Sequence, residues 1–537
     1  MKNLSMRQTS QAGQFVKTFV LILFLTFVVH CCLNFTELWG KFREVNDAII
    51  RLQQNGQRGY PVLAKDIYTK NVNFAASQTE IENIRKFEDL SEKERAEVME
   101  LDDGITDEIR RIMKELNITN AGENGEPLNI LFNQTDYIKK LDQMMRANYG
   151  YNALASGMIS LNRALPDNRS EYCKNKKYPM NLPKASVIVM VHDDDWMLLM
   201  RTVHSILLRT PDHLLAEVLL VFDHSDRKYL QEHLDEYIKK YPKIRLIRSH
   251  RRQGIIPTRI LGGRNAVGPV IVYLDSHCEV GPGWIEPILS RMTEEPTLLA
   301  GPKVSLIDPE TMQVTLDDSP GYIGSFSWDL VYKYVSIEFF EGDNPTPKYD
   351  PKPSATIVGA AFAIRKDFLL KIGLFDPDFD IWGSEDVELA FRTWMCGGRV
   401  ELIPCSVVAH MFKSHTYETK VKSQNSVLYN NDRIAEIWLD DEYKKYYYRS
   451  VGDTKNRDYG NITERLELKK ELNCKSFKWY MENVNPKRYV PDNLKDENWL
   501  KAQEDKKKKE EEDEKRKQEV ELKKNENDKT QNDTKKA

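Results

Sequence analysis

Four short apolar runs in succession constrain the fold of this chain more than any other feature: ASVIVMV at 185–191, EVLLVF at 217–222, IRLIR at 244–248 and PVIVYL at 269–274. Continuous apolar runs, without polar alternation, are what a strand needs when both faces of a parallel sheet are covered. Between the first two lies WMLLMRTVHSILLRT, in which Leu198, Thr202 and Ile206, and likewise Leu199, Val203 and Leu207, recur at helical spacing. Strand and helix alternate, so the expected fold class is α/β with an open, mostly parallel sheet. Ligands of such sheets sit beyond the carboxyl ends of the strands, where Asp223 and Asp275 fall.

Three clusters carry chemistry. In VIVYLDSHCE, Asp275 and His277 stand two positions apart; in an extended segment such residues project to the same side, so a carboxylate and an imidazole can share one cation. In FDIWGSEDVELAFRTWMCGG (379–398), Gly383 permits a tight turn, and Glu388, Arg392, Val387, Leu389 and Phe391 read as the helix that follows. Trp382 is then either a core aromatic or part of a ligand-covering loop. CSVVAHMFKSHTY (405–417) gathers His410, Lys413, His415 and Tyr417, a polar set suited to phosphate and sugar.

The flanks set the cellular frame. Lys and Arg number 78 against 82 Asp and Glu, a net charge of -4, and this balance excludes a polybasic nucleic-acid partner. TFVLILFLTFVVHCCLNF (18–35) holds no acid, Lys or Arg, with Lys2, Arg7 and Lys17 before it and Glu37 and Glu44 after it. It predicts a transmembrane signal-anchor behind a cytoplasmic tail at 1–17, in type II orientation. The rival, a cleaved signal peptide, needs a small-residue cleavage site that His30, Cys31, Cys32 and Leu33 do not supply. Residues 36–160, charged and amide-rich, read as a luminal stem, partly helical or a plain solvated spacer. Asn-X-Ser/Thr acceptors occur at Asn34, Asn117, Asn133, Asn168, Asn461 and Asn532. Residues 481–537 end in a charged, low-complexity tail.

SLNRALPDNRSEYC (160–173), LLMRTVHSILLRTP (198–211), LDSHCEVGPGWIEPIL (274–289), DIWGSEDVELAFRTWMCGG (380–398) and IPCSVVAHMFK (403–413), in that order, resemble the catalytic domain of the polypeptide N-acetylgalactosaminyltransferases. The resemblance implies a GT-A glycosyltransferase domain, Rossmann-like, over 161–480. Its nucleotide and metal half would span about 182–292 and its acceptor and sugar half about 350–415. It implies a Golgi membrane enzyme that uses Mn2+ to move N-acetylgalactosamine from UDP-GalNAc to Ser or Thr of a protein acceptor, with retention of configuration. Residue by residue, it implies that Asp275, His277 and His410 bind Mn2+ and that Asp223, Arg252 and Ser276 contact the UDP-sugar. Trp382 would belong to a mobile loop that closes on the donor, with Glu385 beside the sugar, and Lys413 to Tyr417, including His415, would border diphosphate and acceptor. It pairs Cys173 with Cys405 and Cys396 with Cys474, leaves Cys278 free, and implies that the family's usual C-terminal lectin domain is absent.

The chain departs from the family pattern around the donor. His192, Asp193 and Asp194 stand for His-Asn-Glu; Met190 replaces a small polar residue; Phe222 and Asp223 stand for Asp-Asp. Val358, Gly359 and Ala360 replace Ala-Gly-Gly, Lys413 replaces Arg, and Gly383 to Asp386 read Gly-Ser-Glu-Asp for Gly-Gly-Glu-Asn. These departures keep two alternatives open: a transferase for another UDP-sugar or acceptor, and a weakly catalytic relative serving as a non-enzymatic partner.

Overall fold

The computed structural model describes residues 107–487 apart from 131–134, 316, 342–345, 414–424 and 453–456. The segments 1–17 and 18–35, most of the stem, the tail beyond Lys487, the acceptors Asn34, Asn133 and Asn532, and the site residues His415 and Tyr417 lie outside the described residues. Among the described residues no helix is long and apolar enough to cross a membrane.

The four apolar runs form strands β1 (Ala185–Val191), β2 (Leu215–Phe222), β3 (Ile244–Arg248) and β4 (Val270–Asp275). They lie parallel in the order β3-β2-β1-β4. Their side chains divide by parity, as the unbroken apolar pattern requires. Ile188 and Met190 pack into one cluster with Leu219, Val221 and Ile271, while Val187, Val189 and Val191 pack into another with Leu220 and Val272. Each such side chain, removed from water, contributes about 1.5–3 kcal/mol. Helix α1 (Trp196–Arg209) covers the second face and is N-capped by Asp195, whose carboxylate accepts from the Leu198 N–H at 3.0 Å. Helix α2 (Ile255–Asn265) covers the first.

Beyond β4 the chain forms β5 (Cys278–Val280), β6 (Leu298–Ile307), β7 (Val314–Thr315), the hairpin β8 (Tyr322–Phe326) with β9 (Tyr332–Ser336), β10 (Lys352–Pro353), β11 (Ala361–Arg365) and β12 (Arg399–His410). The main sheet runs β10-β12-β6-β11-β4-β1-β2-β3. Strand β11 is antiparallel to both β4 and β6 and joins the parallel quartet to a second half, so the sheet is mixed. Two further helices matter for the site, α3 (Glu385–Met395) and α4 (Ser426–Trp438).

Strand β12 pairs parallel to β6 with one interruption. Ile403 lies opposite Pro302 and Val407 opposite Lys303, so Pro404, Cys405 and Ser406 bulge out of the ladder. Cys405 in that bulge is disulfide-bonded to Cys173, and Cys396 to Cys474; Cys278 is free and buried. Both pairings match the expectation.

Residues 107–160, read from sequence as the end of the stem, are built into the folded body. Ile112, Ile138 and Leu154 are fully buried in a cluster with Leu198, Ile307, Met312 and Met411, and the Leu128 N–H donates to the Thr311 carbonyl at 2.8 Å. The body therefore begins ahead of Leu161. The apolar positions that anchor it meet partners, Ile307, Met312 and Met411, that lie far along the chain.

Candidate functional site

Strand β4 ends at Asp275, Ser276 and His277 form a turn, and β5 resumes at Cys278. The turn, rather than strand alternation, brings Asp275 and His277 together. Antiparallel pairing of β5 with β12 sets Cys278 opposite His410 and so adds the third member. One ligand atom from each of Asp275, His277 and His410 falls within 4.8 Å of the others. His410 Nε2 lies 3.3 Å from Asp275 Oδ2, and His277 Nε2 lies 3.9 Å from the same oxygen. His410 is 5 % exposed, and neither of its ring nitrogens has a hydrogen-bond partner. Buried imidazole nitrogens without partners are costly unless something else takes their lone pair. Burial, with Lys413 and His410 adding, holds the His277 pKa well below its ordinary value, so that ring is neutral and can donate. Two imidazoles and a carboxylate suit a first-row divalent cation such as Mn2+. The residues present fit that group. The Ser276 hydroxyl lies 3.3 Å from His277 Nδ1 and orients the ring.

Asp223, at the end of β2, accepts from the backbone N–H groups of Gln253 and Gly254 at 2.6 and 2.7 Å. Burial raises its pKa, and those two N–H groups oppose the rise. Asp223 thereby fixes the turn carrying Arg252, whose buried Nε has no hydrogen-bond partner. Met190 lies opposite Asp275 in the β1–β4 ladder, and the Arg248 guanidinium stands 5.1 Å from the centre of the Phe222 ring. Lys413 donates to Asp194 Oδ1 at 3.0 Å and faces the Tyr151 ring at 5.8 Å.

The loop before α3 is docked. The buried Asn430 side chain of α4 accepts from the Asp380 N–H and donates to the carbonyls of Asp380, Gly383 and, at longer range, Trp382. The Ile255 N–H donates to the Ile381 carbonyl at 2.9 Å, and a Cβ on Gly254 would lie 2.4 Å from that oxygen. Only glycine allows this approach. Trp382 packs half-buried against the core. Ser384 adopts φ 60°, where its family glycine would be unstrained, at a cost of about 1 kcal/mol.

Glu385 opens α3 with both oxygens engaged, Oε1 by Arg259 Nη1 at 2.5 Å and Oε2 by the Gly383 N–H at 3.1 Å. Asp386 accepts from the N–H groups of Gly359 and Val387 at 3.0 and 2.8 Å. Burial and then the Glu385 charge push its pKa up. Val358 also lines a cleft, with Tyr322, Tyr332, Tyr334 and Thr356 among others. Arg259 and Asn430 were not picked out from the sequence. Arg259 sits among alternating apolar and small residues of α2, and Asn430 lies some fifty positions from the loop it holds.

Comparison with known proteins agrees with this geometry. Residues 186–372 match the family model described as glycosyl transferase family 2, and 344–416 match that of the N-terminal domain of galactosyltransferase. Polypeptide N-acetylgalactosaminyltransferase 5 of Caenorhabditis elegans is 42 % identical over 386 residues, covering 71 % of this chain and 61 % of its own length. Polypeptide N-acetylgalactosaminyltransferase 10 of Homo sapiens is 38 % identical over 375 residues, covering 69 % and 60 %. The chain thus spans about 60 % of the length of these relatives. A solved structure of GalNAc-T7 with UDP, GalNAc and Mn2+ superposes with a TM-score of 0.63 at 35 % identity, over 68 % of each chain.

Proposed function

The chain belongs to the polypeptide N-acetylgalactosaminyltransferase family, and from that premise we propose that it transfers N-acetylgalactosamine from UDP-GalNAc to Ser or Thr hydroxyls of proteins, with Mn2+ and with retention of configuration. The observation that carries this reading is the convergence of Asp275, His277 and the buried His410, whose imidazole has no hydrogen-bond partner. Those three residues would hold Mn2+, which when bound neutralises charge on the departing diphosphate. Arg252 and Lys413 supply further positive charge to the nucleotide end, and Asp223 orients the Arg252 turn. The cleft beside Val358 is where we place the acceptor polypeptide.

Glu385 and Asp386 each have both oxygens engaged, which argues against either as a covalent nucleophile. Retention then follows from attack on the face the leaving group vacates. The acceptor oxygen bonds to the anomeric carbon, the bond from that carbon to the UDP oxygen breaks, and a UDP phosphate oxygen takes the hydroxyl proton. A sugar trapped on Glu385 or Asp386 would contradict this.

We place the protein in the Golgi membrane as a single-pass type II chain, with the catalytic body luminal. The apolar run at 18–35 supports this, as do the two disulfides, which call for an oxidising compartment. The methyl groups of Val358 and Ala360 favour one second reading, a donor sugar other than N-acetylgalactosamine. The purified luminal fragment, incubated with a panel of UDP-sugars, Mn2+ and Ser/Thr peptides, decides. Chelator-sensitive transfer from UDP-GalNAc, abolished in His410→Ala, is the expected result. Transfer from another UDP-sugar alone would establish the second reading, and a folded fragment that neither transfers nor hydrolyses any donor refutes both.

A further inference from the structure

Arg259 touches three separate parts of the site from a fully enclosed position. Its guanidinium, 1 % exposed, donates through Nη1 to Glu385 Oε1 at 2.5 Å and through Nη2 to the Gly359 carbonyl at 2.6 Å, and Nη2 stands 3.9 Å from Asp275 Oδ1. Its plane is held by the rings of Phe362 and Phe375 at 5.3 and 5.9 Å. Its backbone carbonyl accepts from the Tyr273 hydroxyl at 3.0 Å. The peptide unit before Gly359 is held as well, since the Gly359 N–H donates to Asp386 Oδ2 at 3.0 Å. The next carbonyl, of Ala360, accepts from the Asp275 N–H at 3.0 Å. These groups are closely packed: a Cβ on Gly359 would lie 3.3 Å from Asp386 Oδ2 and 3.5 Å from Glu385 Oε1.

We propose that Arg259 is a positioning residue that fixes Glu385 and the Gly359 carbonyl at one set distance from the carboxylate of Asp275, and that Asp386 completes the hold by gripping the same residue through its N–H, in the preceding peptide unit. The inference deepens the proposed function and rests on it for the sugar: segment 358–360 is the wall the donor sugar meets, and α3 brings Glu385 beside it. A planar fork is needed, because two acceptors on different elements must be held at a fixed angle and a lysine ammonium can hold only one of them in that way. Small errors in such placement are costly to rate while ground-state binding changes little.

The test contrasts two pairs of variants in the full luminal chain. Arg259→Lys keeps a charge beside Asp275 and loses the fork, whereas Arg259→Gln loses both; Asp386→Ala removes the acceptor of the Gly359 N–H, whereas Asp386→Asn keeps an oxygen there. With saturating donor, kcat of R259K, R259Q and D386A falls by about 10- to 100-fold while the donor KM moves less than about threefold, and D386N recovers most of the loss. Without metal or substrate, hydrogen exchange at the Gly359 amide speeds up by about tenfold or more in D386A and R259K. If an Arg259 variant fails to fold, the D386A and D386N pair decides alone. R259K and D386A at the parent kcat, or Gly359 exchange unchanged in both, would overturn the proposal. A parent chain inactive with every UDP-sugar but showing the exchange response would refute the proposed function and leave the hold on Gly359 standing.

Discussion

Replacing Asn430 by Ala tests whether the docked state of the Trp382 loop is held from α4. Asn430 is fully buried; Oδ1 accepts from the Asp380 N–H at 2.7 Å, and Nδ2 donates to the carbonyls of Asp380 and Gly383, both at 3.0 Å, with Trp382 O at 3.3 Å. An amide has two N–H donors, so these contacts amount to about three good hydrogen bonds. At about 1 kcal/mol each, the docked loop loses about 3 kcal/mol relative to a released one, roughly a 100-fold shift in that equilibrium. Two restraints survive the substitution, the Ile255 N–H to Ile381 carbonyl bond and the Gly383 N–H to Glu385 bond, so the loop loosens without unfolding α3. Hydrogen exchange followed by mass spectrometry over 379–384 should show a loss of protection of roughly that factor, with little change in the central strands. The donor KM should rise in parallel. Protection and KM both within about threefold of the parent would refute the assignment of the loop restraint to Asn430.

Two further outcomes follow from buried charge. Glu279 meets Arg163 in a fully buried bidentate pair at 2.6 and 3.0 Å; burial opposes its charge, but Arg163, Arg201 and Arg209 more than offset this and hold its pKa low. Glu279→Gln leaves the guanidiniums uncompensated, costing about 3 kcal/mol and lowering Tm by about 4 °C for a body of this size; a Tm within about 1 °C of the parent contradicts that. Asp386 has a raised pKa in the folded state, so between the ordinary Asp value of about 4 and the raised one the folded chain binds more protons than the unfolded chain. The contribution of Asp386 to stability therefore falls as pH rises from about 4 toward neutrality, and the stability difference from Asp386→Asn should widen over that range in thermal melts; a pH-independent difference refutes the assignment.

The parallel half of the fold was legible because β1, β2 and β4 are buried on both faces and so carry apolar runs, while β3, at the sheet edge and only partly buried, keeps apolar residues at alternate positions. IRLIR became β3 without a shift of boundary, and ASVIVMV became β1. The second half was harder to read. Strand β11 is flanked by partners from distant parts of the chain, and nothing in AFAIR shows that it runs antiparallel to β4 and β6. The Asp275, His277 and His410 set could be named because motif order marked it, yet the turn at Ser276 that assembles it could not. Asn430 acts on backbone carbonyls and an N–H, and Arg259 on a backbone carbonyl and a carboxylate 126 positions away, so their roles emerge only from the folded geometry. The stem was read as partly helical, but the docking of its helices at 107–157 was hidden for another reason: their buried positions are completed by Ile307, Met312 and Met411, which belong to other segments.

The interruption in β12 has one more consequence. Cys405 is tethered to Cys173 inside the bulge, and the ladder restarts at Val407 and runs without a break to His410. Side chains on a strand alternate, so the five-residue step from the tether to His410 is a ruler with only one useful setting. A single-residue insertion or deletion between them would turn the imidazole to the opposite side of the sheet. Length changes on the other side of Cys405 can be taken up by the bulge. Sequence drift in this part of the protein is therefore tolerated in length before the tether and rationed in length after it.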